Sequence, residues 1–179
     1  AKKVWNFPYF PHAVIKMPFS SQAGDPMYLD IGRMLPGGDI FEQVSIHGDT
    51  IAVGAPWEDS NQNYITNGTG VSVDNSSSSS GAVYIYKRTG SNWAQEAYIK
   101  PSNSGLNDNF GTDVSLNGDT VAVVANDEDS NQTTITNGST ASADNSLSNS
   151  GAVYIFKRTG TTWVQEAYIK AANAEVNED

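Results

Sequence analysis

The chain has 179 residues, enough for one domain with a genuine core, and carries 20 carboxylates against 10 Lys and Arg, a net charge of −10. Such a field repels nucleic acid and anionic membrane, which argues against both as partners. There is no cysteine, so disulfides, thiolate metal sites and cysteine nucleophiles are all excluded, and no apolar run reaches the ~18–20 residues of a membrane-spanning helix.

Residues 1–38 stand apart in composition. They hold five of the seven prolines and four Lys and Arg residues against two Asp. The run Val4-Trp5-Asn6-Phe7-Pro8-Tyr9-Phe10-Pro11 interleaves aromatics with prolines, which disfavour helix and central strand. It reads as an extended arm. Four aromatics left in water would form a costly apolar patch, so Trp5, Phe7, Tyr9 and Phe10 are expected to pack on the chain's own propeller or, the favoured alternative, on a partner or a neighbouring domain. No leader pattern precedes them, and Ala1 is compatible with a mature terminus.

From residue 39 the chain is written twice. Gly48–Asp108 reappears as Gly118–Glu178, 70 positions on: EDSNQ and QEAYIK return unchanged, and GAVYIYKRTG returns as GAVYIFKRTG. A fixed period of this size marks a repeat architecture in which each copy buries an apolar face against the next. The units are 39–108 and 109–179, after the 1–38 segment.

Each copy reads as four short strands rich in Val, Ile, Tyr, Phe and Trp. In the first copy they are Glu42–His47, Thr50–Ala55, Ala82–Arg88 and Trp93–Lys100. In the second they are Thr112–Asn117, Thr120–Ala125, Ala152–Arg158 and Trp163–Lys170. Asn117-Gly118 between apolar runs is a strong hairpin signal. The second strand of each copy is apolar on both faces, as an inner strand between neighbouring blades requires. The fold class is therefore all-β: propeller-like blades of four antiparallel strands in an incomplete ring, about two blades plus a degenerate partial one. The partial blade is suggested upstream, where Ala13–Lys16 resembles Ala97–Lys100. Open sheet edges invite pairing with other chains.

Between strands two and three lies a polar segment, 57–80 and again 127–150, rich in Ser, Asn, Thr, Gly and Asp. Loops of this length are uncommon in compact domains and are usually functional or mobile. Their equal length in both copies fits an ordered excursion on one rim and equally a recent duplication; the rim is the expected recognition surface, with Trp57 as a further partner-binding candidate.

In these motifs the chain resembles the FG-GAP repeat, the blade unit of integrin alpha-type propellers and of bacterial surface proteins. The second copy has Phe110-Gly111, Gly118-Asp119 and Gly151 to Phe156. The first has Gly48-Asp49, Val53-Gly54-Ala55-Pro56 and Gly81 to Tyr86. Two departures stand out: Ile40-Phe41 replaces Phe-Gly in the first copy, and Val124-Ala125-Asn126 replaces Gly-Ala-Pro in the second. The resemblance implies a propeller and a binding or adhesion role. The family's calcium loop between the first two strands is replaced here by a tight turn, so no calcium ligand is carried over.

Candidate chemistry is sparse. Glu58 and Asp59, with Asp127 and Asp129, are hard oxygen ligands of the kind Ca²⁺ prefers, but no spacing among them reproduces a calcium loop, so no cofactor is expected. Asn67, Asn75, Asn131 and Asn137 head Asn-x-Ser/Thr sequons and would accept glycans in a secreted eukaryotic protein. His12 and His47 have no metal-ligand spacing, and no nucleophile or phosphate-loop motif occurs. The expectation is a non-catalytic protein-binding or adhesion module, extracellular, cell-surface or periplasmic, with protein partners. The alternatives are an accessory or scaffold subunit docked through the arm, or part of a hydrolase that has a propeller domain.

Overall fold

A computed structural model describes residues 14–20, 26–30 and 43–176. The chain divides into two compact units, 1–38 and 39–179. In the first, β1 (Val14–Ser20) pairs antiparallel with β2 (Pro26–Asp30), with Val14 opposite Asp30 and Lys16 opposite Tyr28. The arm residues Trp5, Phe7, Tyr9 and Phe10 lie outside the described residues.

The second unit is two five-stranded antiparallel sheets. Blade 1 comprises β3 (Gln43–His47), β4 (Thr50–Ala55), β5 (Thr66–Asn67), β6 (Ala82–Thr89) and β7 (Asn92–Ile99), in the order β3-β4-β6-β7-β5. Blade 2 repeats it with β8 (Phe110–Asn117), β9 (Thr120–Ala125), β10 (Ile135–Asn137), β11 (Ala152–Thr159) and β12 (Thr162–Ile169), in the order β8-β9-β11-β12-β10. The sheets do not close on each other, consistent with partial propeller blades. The four strands expected from sequence are present in each copy. The fifth is new: each long polar loop folds back and adds a two- or three-residue strand outside the fourth, Thr66 opposite Tyr98 and Thr136 opposite Tyr168.

Local chemistry sets the hairpins. The β3–β4 and β8–β9 loops are the two-residue pairs Gly48-Asp49 and Gly118-Asp119, with φ +57° and +59° at the glycines. Glycine with positive φ at the first loop position suits the twist of paired strands. As expected from the sequence, Asn117 is the last residue of β8, opposite Thr120, and Gly118-Asp119 form the loop. A bulge recurs where Glu96 and Glu166 interrupt the registers Ile85–Ala97 to Tyr86–Gln95 and Ile155–Ala167 to Phe156–Gln165.

The blades meet face to back, so their contact is heterologous. One face of blade 1, with Ala52, Val83, Ile85, Ala97 and Ile99, packs on the opposite face of blade 2, with Val121, Val123, Tyr154, Phe156 and Tyr168; together they form one buried cluster. Phe110 sits at its centre, edge-on to Tyr154 and Phe156 with ring centroids 5.4 and 5.8 Å away.

Candidate functional site: the blade joint and the loop rim

The joint is built on glycine. Gly111 holds φ +99°, and a Cβ there would lie 2.6 Å from the Ala82 carbonyl oxygen and 3.1 Å from the Ala55 nitrogen. A Cβ on Gly54 would run into the Gly111 carbonyl, and one on Gly81 (φ +77°) into Phe110. The Gly54-Ala55-Pro56 end of β4 and the Phe110-Gly111 start of β8 therefore touch backbone to backbone, and Gly81 forms a parallel bridge to Phe110. Only residues without side chains permit this approach. Both motifs, 57 positions apart in sequence, are the two halves of one contact.

Polar groups lock the outer end of the joint. The Asn67 side chain behaves as an extra peptide group: Trp163 N–H donates to Asn67 Oδ1 at 2.8 Å, and Asn67 Nδ2 donates to the Trp163 carbonyl at 3.3 Å. Glu96 accepts from Arg158 at 2.8 Å and from Trp163 Nε1 at 3.0 Å. Arg158 also donates to Asp119 of its own blade and lies 5.4 Å over the Trp163 ring. Burial works against its charge, but the bonds to Glu96 and Asp119 outweigh burial and raise its pKa. Beside this lock a hollow of about 290 Å³ opens between the blades, lined by Tyr64, Ile65, Asn67, Ser139, Trp163 and Gln165.

The two long loops are ordered from within by the same bonds. Asp59 Oδ1 accepts from Ser79 N–H and Asp129 Oδ1 from Asn149 N–H, both at 2.8 Å. Asp74 accepts from the Asn61 and Ser76 amides, and Asp144 from the Asn131 and Ser146 amides. These carboxyls sit below the usual carboxylate range, Asp74 chiefly through the Ser76 amide and Asp144 chiefly through the Ser146 hydroxyl. Gln62 and Gln132 each bridge two loop positions, Tyr64 with Thr66 and Thr134 with Thr136.

Under each loop lies a buried ion pair. Lys100 Nζ donates to Glu58 at 3.0 Å and to Ser80 Oγ at 2.7 Å, while Lys170 Nζ donates to Glu128 at 2.9 Å and to Ser150 Oγ at 2.6 Å. In blade 2 Glu128 also accepts from Tyr168 Oη at 2.9 Å and from Asn103 at 3.1 Å, which ties the link between the blades to the second loop. Each pair joins the last residue after the fourth strand to the first residues of the loop, 42 positions away. Neither lysine nor the serines stood out in the sequence as a site; their signal was that Glu, Ser and Lys recur together at fixed spacing in both copies. Next to this cluster Asp108 is buried and its carboxyl is pushed up to about 7, first by burial and then by Glu128 and Asp129, against the stabilising Gly105 N–H at 2.7 Å.

The sequence candidates are thus distributed as follows. Glu58 lies in the buried pair, Asp59 and Asp129 hold loop backbone, and Asp127 accepts from Asn109 and Asn126. Among the described residues no three Asp, Glu or His side chains converge as a metal site. Trp57 is half exposed on the first loop, with Tyr64 and Val73 further along it. Of the sequon residues, Asn67 is engaged in the joint, Asn131 donates to Ser146, and Asn75 and Asn137 are exposed. Among the described residues no helix is long and apolar enough to cross a membrane.

No curated protein and no solved structure matches the chain. Residues 93–156, from β7 of blade 1 to Phe156 in β11 of blade 2, match the model of the FG-GAP repeat; the match includes the Phe110-Gly111 half of the joint, while Gly54 and Gly81 lie before it.

Proposed function

We propose that this chain is a non-catalytic protein-binding module that works outside the cytoplasm, in adhesion or surface recognition, with the loops 57–80 and 127–150 as its recognition rim. The observation that carries this reading is the loop frame. Two loops framed by matching carboxylate–amide bonds stand on buried Lys–Glu pairs, so their outward side chains are presented on a stiff platform at little ordering cost. Tyr64, 62% exposed, and Trp57 are aromatic anchors of the type that dominates interface energetics. The acidic composition accords with an exported surface protein. A scaffold role exercised through the aromatic arm remains the second reading, motivated by Trp5, Phe7, Tyr9 and Phe10 alone.

The test is an array of immobilised extracellular-matrix and cell-surface proteins probed with the whole chain, with Tyr64→Ala and Trp57→Ala, and with a chain lacking residues 1–12. Saturable binding lost in the loop variants and retained without the arm supports the rim. Binding lost only without the arm supports the scaffold reading, and turnover of an arrayed protein would contradict both.

A further inference from the structure

The hollow between the blades, about 290 Å³, gathers side chains that the joint itself does not use. Ile65 and Trp163 give it apolar walls, and Tyr64, 62% exposed, stands along one side. Its polar groups are uncharged. Gln165 is 6% exposed and held from both ends: Nε2 donates to the Thr140 carbonyl at 3.1 Å, and Oε1 accepts from the Ser102 N–H at 3.3 Å. A side-chain amide has two N–H groups and two oxygen lone pairs, so half of that capacity is unused. The Ser102 hydroxyl is shielded from water and has no hydrogen-bond partner among the described residues. Lys100, the one charged side chain among the described residues of the lining, is 1% exposed and gives its ammonium to Glu58 and Ser80.

The loop frame does not require these residues. Positions 60–68 read SNQNYITNG, and their copy at 130–138 reads SNQTTITNG. Both are held by the same bonds, Gln62 to Tyr64 and Thr66, Gln132 to Thr134 and Thr136. The two departures put Asn63 and Tyr64 where the copy has Thr133 and Thr134, and both line the hollow. Ser102, also in the lining, stands where the second copy has Ala172. An amide, an exposed aromatic ring and an unpartnered hydroxyl are thus brought to one hollow by residues with no part in holding the loop.

The walls define the ligand by exclusion. A hydrocarbon would seal Gln165 and Ser102 from water and leave their open positions unpaired, at a cost. An anion would find no free cation there and would enter the field of a chain with net charge −10. A cation would find no carboxylate among the described lining residues. Drug-sized pockets run from ~300 to ~1,000 Å³, so this one has room for a single ring. A neutral ring with an apolar face and a hydroxylated edge meets every one of these conditions. We propose that the hollow binds a neutral pyranose, one sugar residue of a glycan, with its C–H face on the Tyr64 ring and its hydroxyls paired with Gln165, Ser102 and Asn63. The site goes beyond the protein-binding reading: it shares Tyr64 with the rim and needs only the blade joint.

The test is an NMR titration of the whole chain with the methyl glycosides of glucose, galactose, mannose and N-acetylglucosamine. At least one should bind saturably with a Kd of about 1 mM, the range open to so small a ligand, and shift the Trp163 indole and the Gln165 side-chain amide. Asn63→Thr, Tyr64→Thr and Ser102→Ala together install the residues of the second copy, whose loop is held by the same bonds, so the fold should persist. Affinity should fall about 10-fold or more without the aromatic ring and the hydroxyl. No saturable binding of any of the four overturns the proposal, as does binding that the triple variant leaves unchanged or that shifts only residues away from the hollow. Tighter binding of indole would make the hollow an apolar site, and saturation only by the neutral peptide N-acetyl-Ser-Asn-Ser-amide would make it part of a protein interface; both results also overturn it. Capture of arrayed proteins that survives removal of their glycans belongs to the rim alone, so the two readings fail separately.

Discussion

Gly54 of β4 and Gly111 of β8 approach so closely that a single methyl group on Gly54 would occupy the position of the Gly111 carbonyl. The strand end of one blade and the strand start of the next are thereby one contact, and most of the joint's geometry follows from it. Gly54→Ala must push the blades apart at their inner end, and a loss of about 3 kcal/mol or more is expected, as for other steric insertions into closed packing. The reciprocal change Val124→Gly, at the corresponding place in blade 2, has no such contact to break. It should cost only about 1 kcal/mol, from backbone entropy in a strand. Urea unfolding of both variants measures the contrast.

The buried pairs give a second expectation. Lys100 and Glu58 have side chains 0% and 5% exposed, so removing one partner leaves the other charged and buried. Lys100→Met or Glu58→Gln should each destabilise by about 3–5 kcal/mol. Lys100→Met combined with Glu58→Leu should recover most of that loss, since a well-packed apolar pair is often no worse than the ion pair it replaces. Denaturant midpoints at constant slope decide it.

Asp108 makes stability depend on pH in an unusual direction. Its folded pKa of about 7 lies above the ordinary carboxylate value of 3.8, so the folded state holds a proton that the unfolded chain has released. The stability this group contributes is complete below the unfolded value and is lost as pH rises toward 7. Asp108→Asn keeps an acceptor for Gly105 N–H and removes the titration. The variant should gain on the order of 3 kcal/mol over the wild type at pH 8 and nothing at pH 4. Equal differences at both pH values would contradict the assignment.

The outer lock should be cooperative. Glu96 serves both Arg158 and Trp163 Nε1, so Glu96→Ala leaves the Trp163 indole without its acceptor and leaves Arg158 with Asp119 and Thr50 alone, and should cost about 1–3 kcal/mol. Combined with Arg158→Ala the loss should be clearly less than the sum, by about 1 kcal/mol or more, because the residues share one network. A glycan on Asn67 would compete with its bond to the Trp163 carbonyl, so in a glycosylating host Asn137 should be modified in preference to Asn67; peptide mass mapping reads the ratio.

Much of the fold was legible because it is local or repeated. The alternation around Val83–Tyr86 and the Gly-Asp turns place the four main strands in both copies, and the recurrence at 70 residues makes them blades. The fifth strands were not legible: Thr66–Asn67 and Ile135–Asn137 are too short for a period-2 pattern and lie in runs of Ser, Asn and Thr, where only the edge of the fourth strand defines them. The acidic loop residues were noticed, but as oxygen ligands. That Glu58 and Glu128 pair with Lys100 and Lys170 depends on a closure over 42 positions that no local pattern records. The Phe-Gly and Gly-Ala-Pro motifs were visible as separate signatures, and only the structure brings them into contact across the blades.

The most direct measurement of the joint is hydrogen exchange at the Trp163 indole. Its Nε1–H belongs to blade 2 and bonds to Glu96 of blade 1, so it reports the contact between blades rather than either blade alone. Exchange as slow as that of the β4 and β9 amides is expected, and fast exchange in Glu96→Ala. An indole proton that exchanges freely while both sheets remain protected would show that the blades do not dock in solution, and would contradict the account.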